Sequence, residues 1–150
     1  MGSQDDEFED FVRWVRPRLY RAFLGTRGVS GAADAVAEAL AWGWEHRSEL
    51  ATMANPAGYL YRVGNSRTRP RRRVVLPAPA DVGLPDFEPR LVPALLALPA
   101  TQRTAVWLVH ACAWTYAEAA AAMDTSPSMI GNHVHRAMMK LRSDLGAGDG

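Results

Sequence analysis

Cysteine is almost absent: Cys112 stands alone among 150 residues. An intrachain disulfide is therefore excluded, and so is a cysteine-based zinc site. A reducing cytoplasm is the expected setting. No apolar run approaches the roughly 20 residues that a membrane helix needs, so no membrane association is expected. The acidic start, Met1 to Glu7, is not followed by a leader-type apolar core, which argues against secretion. A Gly-rich phosphate loop and a nucleophile elbow are both missing. His133 and His135 are two apart, as are His110 and Cys112, so neither pair converges on a metal from one helix face. No catalytic residue, metal or cofactor is expected, and the chain is not read as an enzyme.

A large charge excess is lacking too. Net charge is +1, and 16 of the 17 basic residues are Arg. Met1 to Arg73 carries 12 Lys+Arg against 9 Asp+Glu, Val74 to Arg90 carries 1 against 3, and Leu91 to Gly150 carries 4 against 4. Phosphate neutralisation supplies most non-specific DNA affinity. Any DNA binding by so balanced a chain should be weak alone and need a larger partner.

What is present is helical. Phe8, Phe11, Val12, Val15, Leu19 and Phe23 show three-and-four spacing, which predicts a helix over about 5–24. Ser30 is an N-cap candidate for an alanine-rich helix through Trp44. Asn55 followed by Pro56 signals a third helix, which Pro70 should stop near Arg69. Pro77, Pro79, Pro85 and Pro89 then mark a linker. The expected architecture is all-α: a helical domain over 1–73, a Pro-rich linker over 74–90, a four-helix domain over 91–145 and a tail over 146–150. In the last domain Leu91 to Leu98 is a short apolar stretch, and Pro99 starts a helix carrying Ala105, Val106, Leu108 and Val109.

Two capped helices come next, either side of Asp124 and Thr125. Thr115 and Glu118 match a capping box. Ser126 and Pro127 match an N-cap with proline at the first helical position. A short helix, a tight turn and a long helix suit a helix-turn-helix, whose second helix enters the major groove. Ile130, Val134, Ala137 and Leu141 define one buried face of that helix. The opposite face carries Ser128, Asn132, His135, Arg136 and Met139, with Met129 and His133 on a flank. Base reading is therefore expected from Ser128, Met129, Asn132, His133 and Arg136, with Ser126 at a phosphate-receptive helix start. An ordinary helical hairpin with a solvated polar face fits the spacing as well.

In the third helix, Arg62, Asn65, Ser66, Arg69 and Arg73 share a face opposite Leu60, Val63 and Gly64. With Tyr59 and Tyr61 nearby, this pattern suits phosphate contacts beside stacking platforms for a single strand. A solvated basic face is the alternative. For the whole chain, an autonomous helix-turn-helix regulator with a sensor or dimerisation domain is one competing reading, and a small helical enzyme another.

The segments together resemble an extracytoplasmic-function sigma factor of the sigma-70 family. The resemblance rests on Leu98-Pro99 with Gln102-Arg103, on Trp114 through Ala120, and on His135-Arg136-Ala137 with Leu141-Arg142. In the N-terminal part it rests on Ala33 to Glu38, Trp44, and Tyr59 to Val63. The family's glutamine is Ala37 here, its tryptophan before Leu-Tyr-Arg is Tyr59, and Gly131 and His133 replace frequent basic residues. The resemblance implies binding to core RNA polymerase through Asp34, Glu38 and Trp44. It implies contacts with the −10 element and strand opening through Asn55, Tyr59, Arg62, Asn65 and Arg69. It implies contacts with the −35 element of promoter DNA through the helix-turn-helix. An anti-sigma factor is left open as a further partner.

Overall fold

A computed structural model describes residues 2–68 and 90–146. Arg69, the basic run to Arg73, Pro70 as a helix stop, the Pro-rich linker up to Pro89 and the tail beyond Gly146 lie outside the described residues. Within them every regular element is helical. In chain order these are α1 (Ser3–Glu45), α2 (Arg47–Leu50), α3 (Pro56–Arg67), α4 (Leu91–Leu96), α5 (Ala100–Val106), a π turn (Trp107–Ala111), α6 (Tyr116–Met123) and α7 (Pro127–Gly146).

The two N-terminal helices expected from the sequence run into each other as α1. The break between them is a kink at Gly28, whose φ of 75° and ψ of 178° no L-residue adopts readily. Helical backbone therefore continues through Ser30, and the second segment turns back at the glycine. Val15, Leu19 and Phe23 from the first segment are buried, as are Ala32, Ala35, Val36 and Ala39 from the second. This is the three-and-four spacing expressed as a core face.

Asn55 and Pro56 open α3 as the sequence predicts, but the Asn55 side chain makes no capping hydrogen bond. Helix α3 ends at Arg67. It buries Ala57, Leu60, Tyr61 and Val63. Tyr61 is a correction: its ring is fully buried, stacked on Phe23 at 4.6 Å, and its hydroxyl donates to Thr26 Oγ1 at 2.8 Å. It cannot serve as a stacking platform for a strand.

The helix expected after Pro99 is also interrupted. Helix α5 gives way to the π turn, in which the Cys112 amide donates to the Trp107 carbonyl at 3.0 Å. A wider turn accommodates one extra residue and rotates the chain beyond it. Trp107 and Leu108 are both buried there. The Trp107 indole N–H reaches the Arg21 carbonyl of α1 at 3.0 Å.

Among the described residues, two apolar clusters form the core. The smaller joins Ala94, Leu95, Leu98, Val106, Ala137 and Leu141 within the C-terminal half. The larger crosses between the halves, from Leu19 and Phe23 through Leu60 and Tyr61 to Trp114, Ala119, Ile130 and Val134. Helix α3 lies on α6, with no side chain between them at Gly58. A Cβ there would overlap the Glu118 carbonyl and stand 2.9 Å from the Ala121 Cβ.

Candidate nucleic-acid interface

The helix-turn-helix is α6, the turn at Asp124 to Ser126, and α7. Thr115 caps α6 reciprocally. Its Oγ1 accepts from the Glu118 amide at 3.0 Å, while Glu118 Oε1 accepts from the Thr115 amide at 3.0 Å. Asp124 ends α6 in the left-handed region at φ 52°, a conformation Asp tolerates better than most residues. Ser126 then starts α7, its Oγ accepting from the Met129 amide at 3.2 Å.

Ile130, Val134, Ala137 and Leu141 are buried, as their spacing predicts. The face away from them is open. Ser126, Ser128, Asn132, His135, Arg136 and Met139 are exposed, Met129 is 42% exposed, and His133 is half-buried on the flank. The amide of Asn132 makes only a long 3.9 Å contact with Met129 Sδ, so it is available to a base edge.

The face of α3 is different. Tyr59 is half-buried between Trp42, 5.3 Å away, and the Arg62 guanidinium, 4.8 Å from its ring. Arg62 also pairs with Asp124 of the turn at 2.7 Å. Asn65 Oδ1 accepts from Arg27 Nε at 3.0 Å, and its carbonyl accepts from Arg27 Nη2. Asn55 is half-buried at the start of the helix. Of the α3 residues expected to contact a strand, Tyr59 and Arg62 are in contact, while Arg62 and Asn65 are also engaged with Asp124 and Arg27. Two neighbours escaped the sequence reading. Trp42 and His46 stack at 4.0 Å beside Tyr59, a pair that their i, i+4 spacing allows. Arg27 and Asp124 also escaped, because both act across long sequence separations.

Asp34 and Glu38 are exposed on the second segment of α1. Ala33, Val36 and Ala37 beside them line a groove of about 370 Å³ with Arg16, Pro17 and Tyr20 of the first segment. Trp44 is 45% exposed, 5.5 Å from Phe8 and 4.0 Å from the Arg47 guanidinium. It stands apart from that groove in the sequence and packs with other partners.

A capped short helix, a turn and a long helix with an exposed polar face have the geometry of a helix-turn-helix. Residues 90–141 match the family described as Sigma-70, region 4. That match covers about a third of the chain, its C-terminal helical domain. Its fold is similar to the sigma factor RpoE of Bartonella quintana, solved in complex with the anti-sigma factor NepR. The TM-score is 0.68 at 22% identity, over 93% of this chain and 97% of that one. No curated protein sequence matches the chain. Among the described residues no helix is long and apolar enough to cross a membrane.

Proposed function

We infer that this chain is a sigma factor of the extracytoplasmic-function type. It binds core RNA polymerase and takes it to promoters, reading the −35 element with α7 and the −10 element with α3. The observation that carries this reading is the free Ser128–Asn132–Arg136 face of α7 in a domain of the sigma-70 region 4 family. In this reading Asn132 and Arg136 meet base edges, and Ser126 and the start of α7 meet a phosphate. Met129 and His133 fill the flank of the groove.

Asn55, Tyr59, Arg62, Asn65 and Arg69 hold the opened strand, with Trp42 continuing the aromatic surface. Asp34, Glu38 and Trp44 face the polymerase. Near-neutral charge fits a reader tethered to a large partner, because tethering replaces intrinsic affinity with effective concentration. The likeness to RpoE, a protein held by NepR in its solved complex, supports an anti-sigma factor as a further partner. The work of the chain is recognition without chemistry of its own, carried out in the cytoplasm.

Retention on immobilised core polymerase, and transcription from a forked promoter only when both are present, test the reading. A chain that ignores the polymerase and binds a palindromic duplex by itself is an autonomous regulator instead. Arg136→Ala should keep core binding and lose −35 discrimination by about 1–3 kcal/mol, the range for one bidentate base contact. Equal loss on every promoter sequence would reduce Arg136 to a phosphate contact.

A further inference from the structure

The open side of α7 begins with a large apolar side chain. Met129 is 42% exposed on the first turn of the helix. Its amide donates to Ser126 Oγ at 3.2 Å, so its backbone is fixed while its thioether is bare. Packing does not account for it. The buried face of α7 is Ile130, Val134, Ala137 and Leu141, and among the described residues Met129 belongs to neither apolar cluster.

At 3.6 residues per turn, Met129 and Asn132 lie about 60° apart around the helix and about 4.5 Å apart along it. Base pairs are spaced by about 3.4 Å, so the two side chains face neighbouring pairs. They also touch: the Asn132 amide reaches Met129 Sδ in the long contact of 3.9 Å. An amide nitrogen carries two N–H bonds. A sulfur that takes one leaves the other, with Oδ1, for the paired contact to adenine N7 and N6. The thioether therefore orients the amide without consuming its reading edge. The rest of Met129 is an unbranched, polarisable apolar end. It has no donor for a phosphate, and the apolar feature that a base offers in the major groove is the C5 methyl of thymine.

We propose that Met129 is a specificity residue for thymine. Its side chain covers the C5 methyl of the base pair next to the adenine that Asn132 reads. The proposal rests on the assignment of α7 to the −35 element, and it narrows that element to one with two adjacent A·T pairs. Cytosine carries only hydrogen at C5, so a C·G pair in the thymine position leaves the thioether facing water.

The test uses the full chain with core polymerase and a duplex library randomised across the −35 window. The chain alone takes the same library if polymerase does not hold it. Selected duplexes should carry the adjacent A·T pairs. Each thymine is then replaced singly by deoxyuridine, which removes the methyl and keeps every hydrogen-bonding group. One replacement should weaken wild-type binding about fourfold, the loss for a methyl-sized apolar group. Replacing the neighbouring adenine by 7-deazaadenine, which lacks the N7 acceptor, should weaken binding through Asn132.

Met129→Ala should bind thymine and deoxyuridine duplexes equally, and Met129→Leu should keep the difference. Asn132→Ala should lose the 7-deazaadenine effect and keep the thymine effect. Comparing variants on the same duplexes cancels whatever the missing methyl does to the DNA itself. A wild type that binds thymine and deoxyuridine duplexes alike would overturn the proposal and leave Met129 as a support for Asn132. A thymine effect that survives Met129→Ala would overturn it too, as would a library from which neither form selects anything. Failure of polymerase to hold the chain would remove the sigma reading, while a methyl effect that depends on Met129 would still stand.

Discussion

Two buried side chains tie the fold to pH. The Tyr61 phenol is pushed up to about 12, mainly by burial, against the opposing pulls of the Thr26 hydroxyl and Arg27. Burial likewise pushes the Cys112 thiol up to about 12, with Arg21 and Arg18 pulling the other way. In the unfolded chain these groups lose their protons near 10.0 and 9.0. The folded chain keeps them, so it binds more protons, and stability is fully present below about pH 9 and lost as pH rises towards 12. The loss approaches about 1.4 kcal/mol per pH unit for each group that ionises only on unfolding. Urea unfolding at pH 8, 9.5 and 10.5 should show a falling midpoint, and Tyr61→Phe should flatten part of the slope. A midpoint constant to pH 10.5 would mean that neither group is held neutral. For the same reason Cys112 should react with a thiol reagent only as the chain unfolds.

The buried cation among the described residues, Arg27, is also a residue-scale device. Its pKa is lowered by burial, with Tyr61 pulling it back up. Both its Nε and Nη2 are given to Asn65. It sits one residue before the Gly28 kink, so it joins the bend of α1 to the end of α3. Asn65 therefore has a structural task of its own.

At the scale of elements, the helix-turn-helix carries a weakness in its second helix. Gly131 is half-buried, and a Cβ there would meet only Tyr116 Cε2 at an ordinary 3.5 Å. Gly131→Ala should therefore stabilise the C-terminal half by about 0.5–1 kcal/mol, the usual difference between the two residues in a helix interior. A lower melting temperature would show that the glycine is needed for close approach. Ile130 is the opposite case. It is fully buried, so Ile130→Asp should abolish the folded helix-turn-helix, read as loss of helical circular dichroism. A folded variant would mean that α7 turns another face inward.

These two elements were the most legible in the sequence, and for a local reason. Thr115 with Glu118, Ser126 with Pro127, and the spacing of Ile130, Val134, Ala137 and Leu141 act within one or two helical turns. What escaped was non-local. The π turn at Trp107–Ala111 leaves no local signature, since its residues read as ordinary helix, and it places Trp107 against the Arg21 carbonyl 86 positions away. Tyr61 and Tyr59 look alike in sequence, but a two-residue step along α3 puts one in the core and one at its edge. The pairing of Arg62 with Asp124 depended on how α6 sits on α3, which no spacing encodes.

At the scale of the molecule, the larger apolar cluster decides how the chain unfolds. Phe23 and Leu60 from the N-terminal half share it with Trp114, Ala119 and Ile130 from the C-terminal half. Elements that share a core lose it together, so the free chain should unfold in a single cooperative transition despite its two sequence-distant halves. The smaller cluster of Leu95, Leu98, Val106 and Leu141 is confined to the C-terminal half and can persist when the halves part. A wedge at Gly58 should therefore split the calorimetric trace into two transitions, the C-terminal one retaining the smaller cluster. Coincident fluorescence and circular-dichroism curves for the wild type, with separated curves for Gly58→Ala, are the expected pair of results. Two transitions in the wild type would mean that the cluster joining the halves contributes little, and that α6 leaves α3 readily in the absence of any partner.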